Sequence, residues 1–268
     1  MMANRLSAPV ALILLTTLAP ASIPRAASAQ SGAPALEWRG TVLQGSAIEI
    51  KGVNGDINAQ PATGSEVEVT AVRTGRRSDP DSVRIEVVQH GDGVTICAVY
   101  PDSGNRPNEC RPGNEGRMNV KDNDVQVAFT VRVPAGVRLV GRTVNGDVKT
   151  GSLDAPVVIR TVNGEAEFST SSYGQASTVN GSIHATLGSA LWEGNLSFST
   201  VNGSITLNLP ADISADVRAE TVNGDITTEF PVTVNGRVSR RVLNATIGGG
   251  GRLMELETVN GSVKLSRR

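Results

Sequence analysis

The stretch Thr143-Val144-Asn145-Gly146-Asp147-Val148 decides how this chain is read, because its first four residues keep returning. TVNGEA starts at Thr161, TVNGSI at Thr178 and again at Thr200, TVNGDI at Thr221 and TVNGSV at Thr258. A close relative, GVNGDI, starts at Gly52. Self-similarity at a spacing of about 20 residues is the mark of a fold made by stacking one small unit. The asparagines that mark the period are Asn54, Asn145, Asn163, Asn180, Asn202, Asn223 and Asn260. From Asn145 onward the gap before Asn260 is nearly double the others, and Asn244 near its middle reads as a degenerate unit. The VNG at Val234 is out of register and reads as a surface turn.

Around each asparagine the apolar pattern changes phase. Residues six and four before it are usually apolar, as in Val157 and Ile159 or Leu196 and Phe198. The third and often the fifth residues after it are apolar too, as in Ile205 and Leu207 or Val263 and Leu265. A phase change between two alternating runs means that the chain turns there. Two architectures produce such a turn. One is an array of hairpins, for which Asn-Gly is a favoured two-residue loop. The other is an all-β repeat solenoid, parallel β-helix-like, with coils stacked about 4.8 Å apart. A hairpin needs only Asn-Gly and gives Thr-Val no reason to recur. In a solenoid, identical residues lie above one another, so Asn amides form a ladder, Val packs on Val and Thr on Thr. The solenoid is therefore the expected fold, with the asparagines in one column and Gly taking a positive φ at each corner. Ile205 is expected to lie buried between the coils of Ile183 and Ile226.

The remaining segments divide the chain. Residues 1–29 read as a signal peptide: Arg5, an apolar run from Ala8 to Leu18, then the small-x-small Ala27-Ser28-Ala29. No Cys stands at the expected cut, so no lipid anchor is expected, and the mature chain carries no apolar run of membrane-spanning length. Residues 30–100 form an N-terminal β region with alternating runs at Val67–Ala71, Val83–Val87 and Val94–Ala98, whose strands are expected to pair antiparallel as a cap. Residues 101–124 are rich in Gly, Pro, Asn and Arg and read as a loop. Residues 125–268 are the repeat solenoid. Cys97 and Cys110 are the two cysteines, and in an exported chain they read as a disulfide stapling the loop.

Recurring TVNG(D/S)(I/V), the Gly run after Ile247 and the late TVNGSVKL resemble the bacterial "putative adhesin" β-strand-repeat family, a domain of unknown function. The resemblance implies an exported β-solenoid-like envelope protein and carries no catalytic residues. Surface attachment would then need a partner, since no barrel or wall-sorting signal follows the final repeat.

Composition excludes several classes. A net charge of −1 leaves no basic footprint for nucleic acid, and 3% aromatic content offers few stacking platforms. No nucleophile elbow, phosphate-cradling loop or zinc-protease motif occurs, so no catalytic residue, metal or cofactor is expected. The residue two after each Asn forms a polar column: Asp147, Glu165, Ser182, Ser204, Asp225 and Ser262. Asp147 and Glu165 pose a carboxylate-pair alternative, a polysaccharide-active enzyme on a β-helix. A solvent-facing polar position is the plainer reading. Arg106, Arg111 and Arg117 make the loop the candidate binding element, toward an envelope or surface partner of protein or glycan. The leading function is a non-enzymatic exported scaffold, periplasmic or at the cell surface; a periplasmic signalling or stress accessory role is the other alternative.

Overall fold

The computed structural model describes residues 34–236 and 239–268, and the segment read as a leader lies outside the described residues. The chain forms β1 (Leu36–Thr41), β2 (Ala47–Lys51), β3 (Ile57–Pro61), β4 (Glu66–Thr74), β5 (Arg84–His90), β6 (Gly93–Val99) and β7 (Gln126–Val133). There follow β8 (Arg138–Arg142), β9 (Val148–Leu153), β10 (Val157–Arg160), β11 (Ala166–Thr170), β12 (Gly174–Ser177), β13 (Ile183–Leu187), β14 (Leu196–Ser199) and β15 (Ile205–Leu209). The last strands are β16 (Ala215–Asn223), β17 (Ile226–Thr228), β18 (Val232–Val234), β19 (Val242–Ile247), β20 (Leu253–Asn260) and β21 (Val263–Arg267). Among the described residues the sole helical element is a 3-10 turn at Pro80–Ser82.

The strands build two sheets, and each coil of a β-solenoid contributes one strand to each. The first sheet runs β1-β4-β7-β3-β9-β11-β13-β15-β21-β17, the second β18-β19-β16-β20-β14-β12-β10-β8-β2-β6-β5. Within the stack, neighbours pair parallel, as in Ile183 opposite Ile205 and Ile205 opposite Val263. The alternation seen in the sequence is the physical cause. In β7 every second residue is buried, and Val127, Phe129, Val131 and Val133 enter the core between the sheets. Antiparallel strands close the ends: β4 and β1 beside β7, β5 beside β6, and β19 and β18 beside β16.

The TVNG corner has one role per residue. Each Asn amide donates to the Asn of the coil beneath: Asn145 to Asn54 at 2.8 Å, Asn163 to Asn145 at 2.7 Å and Asn180 to Asn163 at 2.7 Å. Asn202 to Asn180, Asn260 to Asn202 and Asn223 to Asn260 follow at 2.8 Å each. Each Thr is buried, and its hydroxyl donates to the Gly carbonyl of the coil beneath, as in Thr200 to Gly181 at 2.8 Å. The polar column works the same way: the Asp147 carboxylate accepts the Glu165 N–H at 2.8 Å, and the Ser182 hydroxyl accepts the Ser204 N–H at 3.2 Å.

Four expectations are corrected. At the repeat corners a positive φ belongs to Gly55 alone; Gly146, Gly164, Gly181, Gly203, Gly224 and Gly261 lack it. Those six are required by contact, because a Cβ on any of them would run into the backbone of the adjacent coil. Second, the repeat Val residues do not pack inside but stand in an outer ridge, Val144, Val162, Val179, Val201 and Val259 being 38–39% exposed and Val222 50%. Third, Asn223 stacks on Asn260, not on Asn202, so Ile205 lies between Ile183 and Val263. Ile226 pairs with Val263 at the outer end of the sheet. Identical rungs accept one another in any order, so the repeat itself does not encode the sequence of coils. Fourth, Asn244 is no coil: it lies in β19, opposite Arg218 in an antiparallel pair, and the long gap holds this excursion.

Candidate functional site

The coil formed by β6 and β7 has no Asn-Gly corner. In its place stands the loop of residues 101–124, at one end of the Asn ladder, where the Asn54 amide reaches the Val125 carbonyl at 3.5 Å. The loop starts from the outward side of β6, because Ile96 and Ala98 face the core and Cys97 faces away. Cys97 is bonded to Cys110, with Cα atoms 5.7 Å apart. The bridge folds the loop back over the outer face of the second sheet.

Buried polar groups then hold it down. Glu49 sits between Ile48 and Ile50 in β2, on the outward face, yet it is 5% exposed because the loop covers it. Its carboxylate accepts from Arg142 Nε at 2.7 Å, from the Thr95 hydroxyl at 3.0 Å and from the Gly113 N–H at 2.8 Å. A buried carboxylate is tolerated where several donors replace its water. Lys51 on the same strand donates to the carbonyls of Arg111 and Glu115. Burial lowers the Lys51 ammonium pKa below its ordinary value, against a raising contribution from Glu49. Asn114 accepts from both Arg142 and Arg160, at 3.0 and 3.1 Å, tying the loop to two further coils. Inside the loop, Asn108 is buried and donates to the carbonyls of Tyr100, Pro101 and Asn119 while accepting the Asn119 N–H. Tyr100 anchors the base: its hydroxyl donates to the Val125 carbonyl at 2.6 Å, and burial raises its phenol pKa.

The three loop arginines are brought to one structure but not to one role. Arg111 is paired with Glu109 at 2.8 Å, and Arg117 pairs with Glu109 through the backbone. Arg106 and Arg117 have exposed positions. A cleft of about 280 Å³ runs under the loop, lined by Lys51, Val53, Met118, Arg117, Thr143 and Val144. It opens onto the first rungs of the Val ridge. A second groove of about 710 Å³ on the other flank is lined by His90, Asp92, Asn114, Arg138 and Arg142. Glu49, Lys51, Asn108 and Arg142 escaped the sequence reading. Glu49 alternates with Ile48 and Ile50 as any outward-facing strand residue would, so no local signal marked it.

The carboxylate pair of the alternative reading stands at the corners that lead into β9 and β11 of the first sheet. Asp147 and Glu165 share Lys149, at 3.4 and 3.1 Å, and Glu165 also reaches His184 at 3.3 Å. The Glu165 bond raises the Lys149 pKa above its ordinary value. The aromatics of the repeats do not stand beside this pair as sugar platforms. Phe168, Phe198 and Trp192 are buried in the core, the two Phe rings stacked at 6.5 Å.

No curated protein sequence matches the chain. Among solved structures, a "putative cell adhesion protein" of Clostridium sporogenes is similar at 13% identity and a TM-score of 0.44, covering 88% of this chain and 100% of its own. A "putative adhesin" of Bacteroides fragilis is similar at 11% identity and a TM-score of 0.36, covering 87% and 96%. The family model described as Toastrack DUF4097 matches residues 142–266, from the last residue of β8 to within β21. The stacked coils that begin at the first full TVNG corner are thus the part of the chain that is similar to the Toastrack DUF4097 family.

Proposed function

We propose that this chain is an exported, non-enzymatic binding scaffold of the bacterial envelope, periplasmic or surface-exposed, whose stapled loop meets a protein or glycan partner. One observation carries the reading. A loop of some two dozen residues replaces a four-residue corner, and a disulfide, a buried carboxylate and a buried amide hold it in one shape. Ordering a loop in advance removes a large part of the entropy lost on binding, and rigid scaffolds commonly present function on such loops. The disulfide supports an oxidising compartment. The cleft beneath the loop joins an aliphatic floor to the Arg117 guanidinium and the Lys51 ammonium, a mixture suited to a partner with both apolar and acidic groups.

The test measures capture of the labelled chain by intact bacterial cells and by immobilised envelope glycans. Replacing Arg106, Arg111 and Arg117 together with Ser should weaken capture without changing the unfolding midpoint, since exposed loop substitutions rarely cost much stability. Parental binding should fall at high salt. Asp147→Asn with Glu165→Gln should leave capture intact. Glycan cleavage that is lost in the carboxylate variant and kept in the arginine variant would replace this reading with an enzyme.

A further inference from the structure

The corner opposite the Asn ladder holds a further groove, of about 540 Å³, which no part of the loop lines. Its residues come from the turns that lead into β2, β8, β10, β12, β14 and β20 and from the first residue of β8: Gly45, Gly136, Arg138, Pro156, Tyr173, Leu191 to Glu193, and Arg252. Those six strands are consecutive neighbours in the second sheet. The groove therefore crosses six rungs, about 24 Å at the spacing of paired strands. Its shape is a channel along the stack, suited to an extended chain molecule and not to a compact one.

Its chemistry is specific. Arg138 lies toward one end and Arg252 at the other, both exposed, and neither pairs with a carboxylate among the described residues, unlike Arg39, Arg111, Arg142 or Arg218. Between them stand half-buried Tyr173 and the loop Leu191–Glu193. Leu191 is 75% exposed, while Trp192 beside it is buried and its indole N–H finds no acceptor in the protein. An unmet buried donor is costly, so the tip of this turn is held in a shape that local bonding alone does not favour. Guanidinium groups bind carboxylates in two-pronged fashion. Aromatic and aliphatic faces suit the apolar faces of sugar rings, with polar groups fixing orientation.

We propose that this groove binds an acidic polysaccharide segment, a run of carboxylate-bearing sugars laid along the stack. The site stands apart from the stapled loop and holds whether or not that loop binds a partner. The probe is a hexameric galacturonate titrated calorimetrically at neutral pH against the neutral galactose oligomer, with quenching of Trp192 fluorescence as a second readout. Saturable binding of the acidic oligomer and none of the neutral one is expected. Arg138→Gln with Arg252→Gln should raise Kd at least about tenfold, the scale of losing one charge-assisted contact. Tyr173→Ala should weaken binding with the circular dichroism unchanged. The variant with Ser at 106, 111 and 117 should bind galacturonate like the parent. Equal binding of both oligomers, indifference to the arginine pair, or loss in the loop variant would each overturn the assignment. So would binding to phosphatidylglycerol vesicles, dependent on Leu191 and without galacturonate affinity, which would make the corner a membrane contact.

Discussion

Gly181 shows how a single position ties the repeat to its stack. It has no positive φ, yet a Cβ there would collide with the Gly164 carbonyl and the Glu165 N–H beneath. Both are backbone atoms and cannot rotate aside. Gly181→Ala should therefore push two coils apart and cost about 1–3 kcal/mol, in the range of overpacked cores. Gly64→Ala, where a Cβ meets nothing, should change the urea midpoint little. Equal effects of the two would mean that the corner glycines serve flexibility and not contact. Asp124 gives a second test at this scale. Its carboxylate accepts the N–H groups of Ser78 and Arg77, with the Arg77 guanidinium 3.6 Å away. These hold its pKa at about 2, below the ordinary 3.8. A depressed carboxylate pKa adds stability above the unfolded value and loses it as pH falls through the folded one. Asp124→Asn should therefore lower the thermal midpoint at neutral pH, and the difference should close between about pH 4 and pH 2.

Elements repeat this logic, and they mark what the sequence makes legible. The TVNG strands and their corner were readable because every coil makes the same bonds to the next. Thr, Asn and Gly each recur for a bond or an approach that a lone hairpin would not require. The stapled loop was visible as a breaker-rich insertion, but its docking was not. Glu49 finds Thr95, Gly113 and Arg142 at sequence separations of 46, 64 and 93, and no local pattern reports such meetings. The groove at the opposite corner was equally silent, since Tyr173, Trp192 and Arg252 occupy turns that do not repeat and Arg138 opens a strand beside them. The disulfide belongs to this scale. Denatured, unreduced protein should label at neither Cys97 nor Cys110. Paired Cys→Ser replacement should lower stability by about 3 kcal/mol on the loop-closure model. The Glu49 and Asn108 networks should still seat the loop, so the variant should fold and lose partner capture only in part. Complete loss of the fold would make the bridge, and not those networks, the element that defines the loop.

The whole molecule inverts chain order at both ends. The first coil of the chain, β2–β3, lies inside the coil of β6–β7, and the last, β20–β21, lies inside that of β16–β17. In an ordinary solenoid each unit meets only its sequence neighbours, so trimming an end peels off one unit. Here the coil of β20–β21 is an interior rung, second from its end of the stack. β20 pairs with β14 on one side and β16 on the other, while β21 lies between β15 and β17. Leu256 and Leu265 are fully buried there. Removing residues 253–268 would expose both neighbours and leave β16–β17 without a parallel partner in either sheet. The truncated chain should lose far more than one coil's share of stability. Amide exchange should show β16, β17 and β19 unprotected while the coils of Asn145 and Asn163 stay slow, because stability in such stacks is local and nearest-neighbour. Retained protection at Val217 and Ala219 would mean that the Asn223 coil can close directly onto that of Asn202. The identical rungs would then permit a second stacking order, and the placement of the last coil would be a choice between two registers rather than a requirement of the fold.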